Sequence, residues 1–525
     1  MNLQDQQRLI VSLQDAGIYP HPVHHLRVIE THISWVVLTG PYAYKIKKSV
    51  DFGFLDFSTL SKRKHYCEEE LRLNRRFSST LYIDLITLTG TCKNPELNGS
   101  GPALEYAVRM LEFPSDSLFK DRLAVGQIHA GLIDALACKL AIFHQGLAAT
   151  TAPVSATPPY GSIEAVGLPA RENFQQIRPL LDQATALDQF RQLLAWVELA
   201  LTSLTPIFQQ RQTGGFIREC HGDLHLGNIT VVGDEITFFD CLEFNDQLRW
   251  IDTFSELAFL IMDLQDHDCS NWSNRLLNRY LEQTGDYAGL QVLQFYQVYR
   301  AMVRAKVNYL RLHQAGLSAL EITATRAIGN RYMALAQQFT VANKRFLAIT
   351  HGISGSGKSH FSAALANEIN AVHVRSDVER KRMFGLAAAA RSDSEIDAGL
   401  YTAEITERTY KQLEAIACQV LNSAMPVIID ATFLEAGRRN QFSALARRLS
   451  VPFVILDCQA GAETITARLL KRNASATDAS EAGIEVMRHQ LVTQDPLTPG
   501  ERSRVIAIDT EHPVEISQLL SVFPL

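Results

Sequence analysis

Two different rhythms of apolar and polar residues run along this chain. From residue 345 onward, short apolar runs at 346–350, 372–375, 427–429, 453–456 and 505–508 alternate with longer stretches of helical periodicity. Short apolar strands alternating with helices predict a parallel sheet with βαβ connections. The first 113 residues read differently. Two β-like runs, 32–39 and 42–47, are joined by Gly40-Pro41, a turn signal, and 61–77 is a charged, periodic stretch that predicts a helix. From about 116 to 338 the pattern is mostly helical, broken by a Pro-rich loop and by a hairpin near residue 230. The polar segment 340–344 sets the main expected boundary. The expected domains are 1–342, with a small lobe to about 113 and a helical large lobe over 114–342, and then 343–525.

Composition narrows the class without naming a chemistry. Of 525 residues, 46% are apolar and 20% charged, an ordinary globular mix with material for more than one core. This excludes a wholly disordered chain, a collagen-like chain and a disulfide miniprotein. The net charge of −6 argues against a uniformly basic nucleic-acid binder. The eight cysteines are irregularly spaced and form no C-x-x-C pair, so they read as reduced thiols. Residues 1–20 carry Asp5, Arg8 and Asp15 and show no secretory h-region, so a cytoplasmic location is expected. The charge-free stretch 140–163 is rich in Thr, Ser, Ala and Pro, and reads as a loop rather than a membrane span.

Two motifs carry the chemistry. The first is His221-Gly222-Asp223-Leu224-His225-Leu226-Gly227-Asn228, in which an Asp precedes an Asn by five positions and follows a His by two. This is the H-x-D-x-x-x-x-N spacing of a kinase catalytic loop, where a carboxylate takes the proton of an attacking hydroxyl and an amide oxygen helps hold magnesium. A second metal ligand belongs nearby. Residues 228–232 and 235–240 alternate around Gly233-Asp234, a hairpin turn that sets Asn228 opposite residue 239 and within one position of Asp240.

HGDLHLGNI followed by FFDCLEFN resembles the aminoglycoside phosphotransferase family of small-molecule kinases, over roughly the first 340 residues. The resemblance implies a two-lobed, α+β protein-kinase-like domain. Carried over, Asp223 becomes the catalytic base, Asn228 and Asp240 magnesium ligands, His221 a brace for the loop, and Asp252 a structural acid or a helix cap. It also implies an ATP-anchoring lysine on the third strand, and YAYKIKK fits that place with Lys45 ahead of Lys47. The lysine's helix partner falls among Glu68, Glu69 and Glu70, with Glu69 favoured. Only Gly40, and no G-x-G-x-x-G, precedes Lys45, and neither Phe-Gly after Asp240 nor an A-P-E segment is present. A small-molecule acceptor is therefore expected rather than a protein.

The second motif is Gly352-Ile353-Ser354-Gly355-Ser356-Gly357-Lys358-Ser359, which fits G-x-x-x-x-G-K-[ST] at every fixed position, after a strand and before a helix. Its glycines let backbone N–H groups wrap a phosphate, Lys358 reaches the terminal phosphates and the Ser359 hydroxyl binds magnesium. A helix N-terminus alone contributes only about 1–2 kcal/mol toward an anion, so Lys358 and the metal must supply most of the rest. Ser376 and Glu379 predict a capping box, with Asp377 and Arg380 on one helix face. Asp430 ends a buried strand, where open α/β sheets bind ligands and metals. Arg468 and Arg472 are four apart on an expected helix, able to reach phosphates.

These features resemble P-loop kinases related to polynucleotide kinase, gluconate kinase and the zeta toxins, over 345–525. The likeness implies an α/β P-loop NTPase domain with a parallel sheet. In it Asp377 is the general base, Arg380 a substrate-phosphate ligand, and Arg468 and Arg472 the lid. The joined order resembles a bacterial family that fuses two such kinases. The expected function is an ATP- and Mg2+-dependent phosphotransferase with two sites and small-molecule hydroxyl acceptors. The alternatives are a nucleotide sensor in which one half does not transfer, and a 5′-hydroxyl nucleic-acid kinase using Arg438-Arg439 and Arg447-Arg448. Arg300, Arg304, Lys306 and Arg311 hint at an anionic acceptor for the first half, and no acidic tract for a polycationic drug is apparent near them.

Overall fold

The computed structural model describes residues 1–525 except 54, 150–156, 313–316, 343, 389, 391–398, 476–478, 520–522, 524 and 525. The chain forms two compact units. One comprises 1–132, 146–166 and 209–260, and the other 133–145, 167–208 and 261–525. The second unit includes described residues on both sides of 340–344.

In the first unit, β1 (Arg27–Glu30), β2 (Ser34–Leu38), β3 (Tyr42–Lys47), β4 (Tyr82–Gly90), β5 (Pro95–Leu97) and β6 (Glu105–Leu111) make a six-stranded sheet in the order β1-β2-β3-β6-β4-β5. Its pairs are antiparallel. One core gathers Trp35, Val37, Tyr44 and Ile46 against Leu9 and Ile10 of the helix Leu3–Ser12 and against Leu13, which caps it. The other gathers Ala43, Val108 and Tyr82 with Cys67 and Leu71 of the helix Leu60–Asn74. Thr59 starts that helix by accepting from the Lys62 N–H. The same unit holds β7 (Ile217–Glu219), β8 (Ile229–Val232), β9 (Glu235–Phe238) and β10 (Trp250–Asp252), paired as β8-β9 and β7-β10. The β8-β9 register, Ile229 opposite Phe238, is the one the Gly233-Asp234 turn predicts.

In the second unit, β11 (Leu347–His351), β12 (Val372–Arg375), β13 (Val427–Asp430), β14 (Phe453–Gln459) and β15 (Val505–Asp509) form a parallel sheet in the order β12-β13-β11-β14-β15. Its core side packs Ala348, Ile428 and Leu456 against Phe361, Leu365 and Ala366 of the helix Lys358–Glu368. The helices Ser270–Thr284, Leu290–Arg311 and Ala319–Phe339 belong to this unit as well.

Two local expectations need correction. The stretch 140–163 is not loop throughout, since the helix Ala130–Gly146 covers its start; residues 150–156 lie outside the described residues. The capping box at Ser376 does not form. Arg375 precedes the helix Ser376–Arg382 with no side-chain cap, and Glu379 turns instead to Tyr287 and Arg382.

Candidate functional site

Strand alternation puts Lys45 and Lys47 on one face of β3, facing the helix Leu60–Asn74. Both ammonium groups reach Glu70, at 2.8 and 2.7 Å, and Glu70 is wholly buried. The favoured partner, Glu69, is therefore replaced by its neighbour. A helix turns about 100° per residue, so Glu70 joins Cys67, Leu71 and Asn74 on the buried face. Glu69 faces outward and binds Arg72, which also reaches Glu219. Lys45 further bonds Asp240, and Lys47 bonds Glu243. Burial works against both lysine charges, but Asp240, Glu70 and Glu243 more than offset it and hold both ammonium groups above their ordinary values. Burial pushes the Glu243 carboxyl up.

Asp240 has a left-handed backbone, φ +62°, which an Asp tolerates better than most residues. Its N–H donates to Tyr82 Oη at 3.0 Å, and the next N–H, of Cys241, donates to Asn74 Oδ1 at 2.9 Å. One residue earlier, the Phe239 N–H donates to Asn228 O at 3.1 Å, extending the hairpin as its register requires. Asn228 Nδ2 donates to the backbone oxygen of Asp223 at 2.9 Å, which fixes the amide and leaves Oδ1 as its open end. Asp223 is 42% exposed. His221 is buried and places Nε2 2.8 Å from Phe239 O, so Nε2 carries the proton there and Nδ1 accepts from the Asp223 N–H at 3.4 Å. Burial lowers the His221 pKa and keeps the ring neutral. Gly222 is required as glycine: φ is +89°, and a Cβ would lie 3.0 Å from Leu248 O. Asp252 is a buried partner of Arg211 and also accepts from the Phe254 N–H, combining the structural and capping roles.

The parallel-sheet unit surrounds a cavity of about 910 Å³ at the carboxyl ends of the strands. Ser354, Gly355, Gly357, Lys358 and Ser359 line it, and so do Asp377, Arg380, Asp430, Arg468 and Arg472. Of the remaining motif residues, Gly352 has φ +135°, Ile353 packs under the loop with Leu434 and Leu469, and Ser356 is buried. Lys358 Nζ donates to Ile353 O at 2.8 Å, and burial lowers its pKa. Asp430 accepts from Ser359 and lies 3.4 Å from His373 Nε2 and 3.9 Å from Arg375 Nε. Burial opposes its charge, but these partners hold the carboxyl at about 2.

Arg380 is buried with its guanidinium 4.6 Å from the Tyr401 ring and 3.4 Å from Thr409 Oγ1, and it meets no carboxylate among the described residues. Arg468 donates to the Thr510 hydroxyl and carbonyl, and Arg472 to Ala482 O. Sequence reasoning did not assign Glu243, Tyr82, Asn74, Tyr401 or His373. Only Glu243, three residues after Asp240, left a readable trace, the Cys-Leu-Glu in place of Phe-Gly.

A protein of Mycobacterium tuberculosis (strain ATCC 25618 / H37Rv), described as uncharacterized, is 30% identical over 467 residues, covering 88% of this chain and 89% of its own length. A Mycobacterium bovis protein matches to the same extent. The chain belongs to their family. Residues 114–296 match the family described as Phosphotransferase enzyme family, and residues 347–497 the one described as AAA domain. This chain thus joins an N-terminal kinase-like α+β domain to a C-terminal P-loop kinase domain. Similar solved structures include the amicoumacin kinase hAmiN in complex with AMP-PNP, Ca2+ and Ami, at 13% identity over 64% of this chain and 96% of that one, TM-score 0.40. A gluconokinase from Sinorhizobium meliloti 1021 matches at 16% identity over 34% of this chain and 89% of that one, TM-score 0.24. Among the described residues, no helix is long and apolar enough to cross a membrane.

Proposed function

We propose that the protein transfers the γ-phosphoryl group of ATP to hydroxyl groups of small-molecule acceptors, at two Mg-ATP sites. The observation that carries the reading is the shared wall of the 910 Å³ cavity, where the phosphate loop, Asp430 and Asp377 face one space. A phosphoryl donor bound by the loop and a hydroxyl beside Asp377 would meet there. In the first unit, Lys45 held by Glu70 would anchor the phosphates, Asp223 would accept the acceptor's proton, and His221 would hold the loop that carries it. The oxygens of Asp240 and Asn228, and of Ser359 and Asp430, suit magnesium, which prefers hard oxygen donors. When bound, the metal would neutralise charge on the transferring phosphate.

Catalysis in this reading rests on positioning. The buried Arg380 supports an acceptor with an anionic group at the second site. The paired arginines do not support a nucleic-acid substrate: Arg438 pairs with Glu407, Arg439 with Glu501 and Arg448 with Glu414. Arg300, suggested as a cation for the first half's acceptor, is buried, and Arg304 donates to Tyr332 Oη at 3.4 Å.

One observation favours the nucleotide-sensor reading for the first half. The Gly40 N–H at the β2-β3 turn is taken by Glu112 Oε2 at 2.8 Å, an acid where phosphate cover belongs. ATP consumption by the full chain, measured with a panel of hydroxyl acceptors, separates the readings. Each of Asp223→Asn and Asp377→Asn is expected to remove its own set of acceptor activities, by about 100-fold or more. Loss with Asp377→Asn alone supports a sensing first half. Activity untouched by both contradicts the proposal.

A further inference from the structure

The helix Ile484–Thr493 carries a residue that neither motif contains. Gln490 lines the second unit's cavity together with Ser354, Lys358 and Asp377. Its Oε1 accepts from the Ser354 backbone N–H at 2.8 Å, and Ser354 lies inside the phosphate loop. A glutamine amide has one accepting end and one donating end. The Ser354 contact uses the accepting end and sets the orientation, because a reversed amide would oppose two N–H groups. The Nε2 donors are left over, and among the described residues no protein atom accepts from them. The Lys358 ammonium contacts the same stretch of loop, at Ile353 O. In a loop of this type that lysine reaches the terminal phosphates. Arg468 lies beside the loop through Thr510, which donates to Ser356 O, and Arg472 donates to Ala482 O, whereas Gln490 bonds the loop backbone directly.

We propose that Gln490 is a nucleotide-binding residue, donating from Nε2 to an oxygen of the terminal phosphate, so that the second site distinguishes a nucleoside triphosphate from a diphosphate. The inference rests on the reading of this cavity as a Mg-nucleotide site. The phosphate loop's own N–H groups and Lys358 do not make that distinction alone, since they also hold the phosphates a diphosphate retains. A donor fixed by the third residue of the loop adds a contact that depends on the last phosphate.

The test is calorimetry on the full chain carrying Asp240→Asn, which silences the first site. It is titrated in magnesium with a non-hydrolysable ATP analogue and with ADP. Gln490→Ala is expected to weaken the triphosphate about tenfold while leaving ADP within about twofold. Gln490→Glu keeps an acceptor for the Ser354 N–H but turns a negative charge toward the phosphate, and is expected to weaken the triphosphate further. Retained ADP binding shows that each variant is folded. An unchanged triphosphate-to-diphosphate ratio in both variants overturns the proposal. Tighter triphosphate binding in Gln490→Ala also overturns it, and makes Gln490 a plug that nucleotide must displace. If the Asp240→Asn parent takes up neither nucleotide, while Lys358→Ala changes nothing, the underlying site reading fails and the proposal fails with it.

Discussion

Glu70 and Glu69 are adjacent in sequence and opposite in consequence. Glu70 is wholly buried and bonds both lysines, which keep Asp240 and Glu243 as partners when its charge is removed. Glu70→Gln should therefore cost about 1–3 kcal/mol in chemical denaturation, through weakened charged hydrogen bonds in a buried site. Glu69 pairs with Arg72 at the surface, and Glu69→Gln should cost under about 1 kcal/mol. Equal costs would put the wrong glutamate in the pair. His221 gives a pH dependence of definite sign. Burial lowers its pKa below the ordinary 6.5, so below that pH the unfolded chain binds a proton the folded chain refuses. Stability is then lost as pH falls from 6.5 toward the folded value, and His221→Gln should flatten the melting temperature over that window. At this scale much was legible in the sequence. The spacing of His221, Asp223 and Asn228 was visible as a motif, and the hairpin register put Asp240 next to the residue opposite Asn228. The glutamate was not legible, because three consecutive acids on a helix differ only in which way each faces. That depends on where the sheet lies.

The elements hold these residues by borrowing one another's backbone groups. β12 is an edge strand, and Asn278 of the helix Ser270–Thr284 completes it. Asn278 Oδ1 accepts from the His373 N–H at 2.8 Å, and Nδ2 donates to Ala371 O at 3.0 Å. Asn274 bonds Asn367 O, and Tyr287 Oη donates to the buried Glu379 at 2.9 Å. The Asn278 and Tyr287 bonds brace β12 and the helix Ser376–Arg382 that follows it and bears Asp377 and Arg380, and the Asn274 bond braces the helix Lys358–Glu368. Asn278→Ala should cost about 1–3 kcal/mol and raise exchange at the His373 amide; unchanged protection there would remove the brace from the account. A second tie joins Arg439 of the helix Ala436–Arg448 to Glu501 at 2.7 Å. Burial opposes the Glu501 charge, but Arg439 and Thr498 hold its carboxyl at about 2 against an ordinary 4.5. This stabilisation is present above 4.5 and is lost as pH falls toward 2. Glu501→Gln should therefore shrink the acid-induced loss of stability in that range. Strands were legible from apolar runs, and helices from periodicity. The Ser376 capping box failed because Glu379 is taken by the buried Tyr287 hydroxyl and by Arg382 instead.

For the whole molecule, the fold classes of both halves were readable from alternating periods and two motifs. The packing of the chain into units was not, since no local pattern says which helices a sheet will recruit. The unit that contains the P-loop kinase segment also contains 261–342. A fragment starting at 343 should accordingly unfold at lower urea than one starting at 261, because it lacks Asn274, Asn278 and Tyr287. Equal midpoints would show that these contacts contribute little. The central claim concerns nucleotide rather than stability. Calorimetry of the intact chain with a non-hydrolysable ATP analogue should show two magnesium-dependent binding events, one abolished by Asp240→Asn and the other by Lys358→Ala. Absence of any magnesium-dependent uptake, or uptake indifferent to both substitutions, would contradict the account.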